Sequence, residues 1–336
     1  MPFVDSTRPR LALTVGDPAG IGPEIVRAAL DDPRSTADCD LVAIGPASAR
    51  PDGVPTWDGR DGLQLNTLRG AMWLETPCDD DALEVGKVSA TGGAAALAAL
   101  RAATDRCLAG ALDGMVNAPV SKEALHLAGE KVEGQTELLG RWSKAPRMQM
   151  LAISGPLRVL LLSRHMPLRD ALDLITTERV LEHLSILHDG LCELGFERPH
   201  LGLAGLNPHA GENGLLGTED RDVLVPAAEA ARAKGLDVTG PLSPDSIFVR
   251  GSKGEFDGIL ALYHDQAFIP TKLLRPDGGM TVLVGMPFVR VSPAHGTAMD
   301  VAGKGIARPD NLIESIVQAA EWASLRRARR MRQRTV

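Results

Sequence analysis

Apolar residues in this chain fall in short runs of strand length, separated by longer stretches in which they recur at helical spacing. Residues 10–15, 40–44, 114–116, 148–153, 158–162, 200–204 and 258–262 predict strands. Residues 24–30, 89–112, 168–187, 218–234 and 311–330 predict helices. A further strand-like run at 282–291 is broken by Gly285 and Pro287, and residues 51–87 read as polar and irregular. No repeat recurs at a fixed period. Strands alternating with amphipathic helices predict an α/β fold with a largely parallel sheet.

Length and composition refine this picture. A chain of 336 residues predicts about two domains. Apolar residues make up 44% and aromatic ones only 3%, so the core must be aliphatic. The net charge of −7 argues against a general nucleic-acid binder but leaves room for a local basic pocket. Cys39, Cys78, Cys107 and Cys192 form no CxxC pair and read as free thiols of a reducing cytoplasm. Residues 1–10 lack the apolar stretch of a signal peptide, and no run is long enough for a transmembrane helix.

Three histidines each follow a predicted strand: His165 in Ser163-Arg164-His165-Met166-Pro167, His209 in Asn207-Pro208-His209-Ala210-Gly211-Glu212, and His264 in Tyr263-His264-Asp265-Gln266. A lone histidine is more often a surface or core residue, as His126, His183, His188, His200 and His295 illustrate. Functional groups of open α/β sheets gather at the carboxyl ends of strands, however, and three imidazoles there can hold one divalent metal. The absence of cysteine beside them suits Zn, Co, Mn or Ni.

Other segments are candidates for binding. Residues 16–24 form a glycine-rich strand-to-helix turn that is neither a GxGxxG fingerprint nor a P-loop, with Pro23 in the first helical turn. Gly134-Gln135-Thr136-Glu137 opens a helical run whose amides can meet an anion, although Glu137 equally suits an early-turn cap. Lys272 and Arg290 can clamp an acidic substrate. Residues 295–311 are rich enough in glycine for close backbone approach to a ligand. The arginines closing the last helix read as a solvated helix end, with no nucleic-acid motif beside them.

Together, residues 16–24, 117–122, 134–137, 206–220, 240–248, 263–272 and 287–311 resemble the 4-hydroxythreonine-4-phosphate dehydrogenase family of vitamin B6 biosynthesis. The resemblance implies two α/β/α domains with a cleft between them, like isocitrate and isopropylmalate dehydrogenases. Residues 1–115 with 275–336 would form the cofactor side, and 116–274 the metal, substrate and dimerisation side. It implies a cytoplasmic homodimer with its active site at the subunit interface, metal-binding histidines coming from both subunits, and no nucleic-acid or membrane partner. His165, His209 and His264 take the metal positions (Zn, Co, Mn, Ni or Mg), and Gln135, Thr136, Lys272, Thr281 and Arg290 those for a small anionic substrate. His295, Gly296, Thr297, Ala298, Asp300 and Asn311 belong to the loop expected to hold NAD or NADP.

Gln135 stands where the family usually has histidine, and Thr281 where it usually has asparagine. The implied reaction is oxidation of the secondary alcohol of 4-phosphohydroxy-L-threonine, then decarboxylation to 3-amino-1-hydroxyacetone phosphate. Threonate or erythronate phosphates and a cis-dihydrodiol dicarboxylate are alternative substrates. Asp245 and Asp265 are the candidate bases, beside a hydroxide held by the metal. A metal-dependent hydrolase and a non-catalytic anion-binding protein are the rival classes.

Overall fold

The computed structural model describes residues 8–60, 65 and 67–334. Most of the N-terminal stretch read as lacking a signal peptide, residues 1–7, lies outside the described residues. The chain forms two compact units, residues 1–146 with 286–336, and residues 147–285. Residues 116–146 thus belong to the first unit and 275–285 to the second.

The first unit opens with β1 (Arg10–Thr14), α1 (Gly22–Asp31), β2 (Asp40–Gly45), β3 (Thr56–Trp57) and β4 (Ala71–Glu75). It continues through α2 (Ala90–Leu108), β5 (Gly114–Asn117), α3 (Lys122–Leu127) and α4 (Gln135–Ser143). The second unit contains β6 (Gln149–Ser154), β7 (Leu157–Leu161), α5 (Leu168–Asp173), α6 (Thr177–Glu193), β8 (His200–Ala204) and α7 (Val225–Ala233). It ends with β9 (Asp237–Leu242), α8 (Pro244–Ser252), β10 (Gly258–Ala261), α9 (His264–Leu274) and β11 (Met280–Val284). The chain then returns to the first unit with β12 (Val289–Pro293) and α10 (Asp310–Arg334).

In the first unit the strands lie in the order β3-β4-β2-β1-β5-β12, and every pair is parallel. Leu11, Leu13, Leu41, Val42, Ile44, Met115 and Val116 are buried, as expected for strands covered on both faces. Alanines supply much of the helical packing surface: Ala95, Ala96, Ala99 and Ala103 of α2 are buried. Small side chains let α2 lie close to α3. A Cβ at Gly93 would stand 2.0 Å from the Ala124 carbonyl oxygen, so only glycine fits there.

The second unit is mixed. β7, β10, β8 and β9 run parallel in that order, whereas β6 pairs antiparallel with both β7 and β11. Leu157, Val159, Leu161, Ala204, Ile247, Phe256, Ile259 and Ala261 form the apolar cluster from which the strand ends emerge.

Several boundaries differ from expectation for local reasons. The 51–87 stretch contains β4, whose Met72, Trp73 and Leu74 are buried. The helix expected at 168–187 is two helices, because Thr176 caps a new start by accepting the Arg179 N–H. The 218–234 helix begins as a single π turn, Asp220–Leu224, before α7. The broken run at 282–291 is two strands in different units, parted at Gly285, whose φ of 76° favours glycine. The C-terminal arginines do more than meet solvent. Arg326 and Arg330 donate to the Met286 and Pro287 carbonyls at 2.8 Å each, and Arg327 meets Asp113 at 3.2 Å.

Candidate active site

His165, His209 and His264 follow β7, β8 and β10, three neighbouring parallel strands with the His264 strand in the middle. Parallel strands present their carboxyl ends along one edge, so the three histidine-bearing segments leave the sheet side by side. Buried hydrogen bonds lace them together. Ser163 Oγ donates to the Leu262 carbonyl at 2.8 Å. Gln266 accepts the Leu262 N–H through Oε1 and donates from Nε2 to the Gly205 carbonyl, each at 2.7 Å.

The His165 and His264 rings are brought to 5.3 Å between centroids. Asp265 Oδ1 accepts from His264 Nδ1 at 2.7 Å, and Phe268 flanks the same ring at 4.6 Å. A carboxylate can only accept here, so Nδ1 carries a proton, and Nε2 is the nitrogen that can offer a lone pair to a cation. That chemistry fits a divalent metal. His209 is exposed, and among the described residues of one chain no group of three or more His, Cys, Asp or Glu side chains is placed to hold a metal ion.

His209 lies on an unusual backbone. His209, Ala210, Gly211, Glu212 and Asn213 all take left-handed φ values between 45° and 77°. Left-handed helix costs each non-glycine residue about 1–2 kcal/mol, so the surrounding loop must impose this turn. Of the other two candidates nearby, Asp245 accepts from Ser243 Oγ at 2.6 Å at the start of α8, and Asp265 is engaged with His264.

In the first unit, the carboxyl ends of β1, β5 and β12 also converge. Arg290 on β12 is buried to 3% exposure, and its Nε donates to Asn117 Oδ1 at 2.7 Å. Asn117 is oriented in turn by donating to Thr14 Oγ1 at 3.0 Å. Burial pushes the Arg290 guanidinium down to about 10, while the charge of Glu137 pulls it back up. A buried cation whose hydrogen-bond partner is a neutral amide is a seat for an anion. Thr136 is buried in the first turn of α4, and Gln135 Nε2 donates to the Ala118 carbonyl at 3.3 Å. Lys272 and Thr281 lie in the second unit, on α9 and β11.

The 295–311 loop is fastened onto the 16–24 turn. Ile21 N–H donates to the Thr297 carbonyl at 3.0 Å, and a Cβ at Gly20 would stand 2.8 Å from that same oxygen. The Glu24 carboxylate accepts the Gly303 and Gly305 N–H groups, the latter at 3.1 Å. The glycine-rich turn is therefore a saddle for the loop. Beside it, Asp17 is fully buried against the first turn of α2, and burial pushes its carboxyl above the usual range, opposed by the Ala19 and Ser121 backbone amides. His295 Nδ1 donates to the Gly296 carbonyl at 3.1 Å.

The remaining histidines serve local structure: His183 donates to the Arg179 carbonyl, His126 to that of Val132, His200 to that of Glu255 and His188 to the Asp189 carboxylate. Glu24, Asn117, Asp220 and Gln266 are the polar residues near these segments that sequence reasoning missed. Each looks ordinary locally and acquires its role through partners distant in the chain.

The chain is similar to known proteins over most of its length. The sequence model of the family "Pyridoxal phosphate biosynthetic protein PdxA" matches residues 54–319. A 4-hydroxythreonine-4-phosphate dehydrogenase from Geobacter metallireducens is 37% identical, over 96% of this chain and 97% of the relative. A D-threonate 4-phosphate dehydrogenase from Salmonella typhimurium is 39% identical, over 93% of this chain and 98% of its own. The crystal structure of 4-hydroxythreonine-4-phosphate dehydrogenase from Klebsiella pneumoniae superposes with a TM-score of 0.84 at 35% identity, covering 95% of this chain and 99% of that one. With a family match over most of its length and relatives aligned nearly end to end, the chain belongs to the PdxA family.

Proposed function

We propose that this protein is a divalent-metal- and NAD(P)-dependent dehydrogenase that oxidises the secondary alcohol of 4-phosphohydroxy-L-threonine, after which the product loses carbon dioxide to give 3-amino-1-hydroxyacetone phosphate. The observation that carries this reading is the departure of three histidine segments from three adjacent parallel strands. His165, His209 and His264 hold the metal, and the resemblance supports ligands coming from both subunits. When bound, the metal would draw charge from the substrate hydroxyl and the dinucleotide would take the hydride.

The chain's own residues do the rest. Arg290 neutralises the substrate anion, with Thr136, Gln135, Lys272 and Thr281 as further substrate contacts. Asp265 orients His264, which leaves Asp245 as the candidate base on a side chain not already committed to a histidine. The product ketone lies β to the substrate carboxylate, so decarboxylation follows from its own structure.

The first unit is the cofactor side, and His295, Gly296, Thr297, Ala298, Asp300 and Asn311 face the dinucleotide. Glu24 keeps that loop in shape. Glu24→Ala removes two charge-assisted hydrogen bonds and is expected to weaken NADH binding about tenfold. Fluorescence titration checks this, with the KM for substrate serving as the control that should hardly move.

The second unit carries exposed Leu215, Leu273 and Ile269, which supports a homodimer built on this unit. The four free cysteines support a cytoplasmic setting. Among the described residues no helix is long and apolar enough to cross a membrane.

A second reading, oxidation of a threonate or erythronate phosphate or of a cis-dihydrodiol dicarboxylate, is kept alive by Gln135. It is a neutral amide where the family usually has histidine, and it already donates to the Ala118 carbonyl, so it brings no positive charge to a phosphate. The decisive experiment is NADH production by the purified protein with 4-phosphohydroxy-L-threonine, threonate and erythronate phosphates, and a cis-dihydrodiol dicarboxylate. Turnover of the first is the expected result; inactivity on it beside turnover of another acid overturns the substrate and keeps the chemistry. In the same assay, Gln135→His is expected to lower the KM for a phosphorylated substrate by several-fold, about 1 kcal/mol of added charge-assisted hydrogen bonding.

A further inference from the structure

Asp220 is enclosed to 1% exposure, and its carboxylate gathers the start of the loop that carries His209. Oδ1 accepts the Leu206 N–H at 2.8 Å, while Oδ2 accepts the Asn207 N–H and the Asn207 side-chain amide at 3.0 Å each. Glu219 takes the same amide at 2.8 Å. The loop closes on this carboxylate from both sides. A Cβ at Gly205 would stand 2.9 Å from Asp220 Oδ1, and one at Gly211 would stand 3.3 Å from the Asp220 Cβ. Gly211 lies inside the left-handed turn of residues 209–213, a conformation that persists only when its surroundings dictate it. Asp220 opens the π turn leading into α7, so the loop is referred to a regular element rather than to another loop.

We propose that Asp220 is the positioning residue that aims His209 at the metal. It touches neither substrate nor metal and acts through the backbone of the loop. This rests on His209 being a metal ligand, and the test separates the two ideas. Cobalt is titrated into the full-length apoprotein by visible absorbance and by competition with a chromophoric chelator, well below the melting temperature of each variant. Asp220→Asn keeps the shape but turns a donor toward the loop amides, and should weaken cobalt binding by about 10–100-fold. Asn207→Ala removes only the side-chain arm and should give a smaller loss in the same direction. It is decisive if Asp220→Asn fails to fold. His209→Ala should lose at least as much as either. Wild-type affinity in His209→Ala overturns the metal assignment and the proposal with it. Weakened binding in His209→Ala beside wild-type affinity in a folded Asp220→Asn, or in Asn207→Ala when the former does not fold, overturns the proposal alone.

Discussion

Arg290→Met is expected to lower kcat/KM by about a thousandfold while leaving the protein at least as stable as the wild type. The two halves have one cause. The Arg290 side chain is buried, its hydrogen-bond partner Asn117 is neutral, and the charge of Glu137 offsets the effect of burial only in part. Methionine fills similar space without that cost, and replacing a buried charge by an apolar group of similar volume is often neutral or stabilising. An anionic substrate compensates the charge when it binds, and truncating one member of a buried charge pair typically costs 2–5 kcal/mol, or about two to four orders of magnitude. Steady-state kinetics and a thermal melt on the same sample check this. A fall in melting temperature with kcat/KM nearly unchanged would assign Arg290 to structure and remove it from the site.

His264→Ala is expected to abolish metal-dependent turnover, a loss of at least about a thousandfold, since a metal's Lewis acidity supplies several kcal/mol at the developing charge. The ring is partly exposed, so the fold should survive its removal. Asp265→Asn is the graded companion. It keeps an acceptor for Nδ1 but removes the charge that orients the imidazole, and should cost about 10–100-fold in metal affinity. The pair also sorts the rival classes. A non-catalytic anion binder would tolerate His264→Ala with its ligand affinity intact. A hydrolase would need the metal but turn over without NAD(P).

The parts of the site legible in the sequence were those announced by position along a strand. The three histidines stood out because each follows a short apolar run, and Arg290 because, with Lys272, it is a cation suited to an acidic substrate. The residues that hold these groups were illegible for a common reason. Asp220 after Gly-Thr-Glu looks like a helix start, Glu24 after Pro23 looks like an ordinary first-turn acid, and Gln266 looks like one more polar helical residue. Their roles depend on backbone groups brought near only by the fold. The missed strands have local explanations. β4 lacks β-branched residues altogether, and β9 contains the Gly240-Pro241 pair, which reads as a turn. The long predicted helix at 168–187 failed because apolar spacing continues across Thr176 while the backbone restarts there.

The Glu24 clamp joins opposite ends of the polypeptide, and the unit containing it is interrupted by the other one. On the ribosome this imposes an order of events. The second unit is a single uninterrupted stretch that can close once its last strand, β11, emerges. The first must wait, with the edge of β5 uncovered, until β12 and the loop after it have been made. The first unit would thus be completed last, so a chain stalled before β12 would carry the histidine segments but could not form the clamped 295–311 loop.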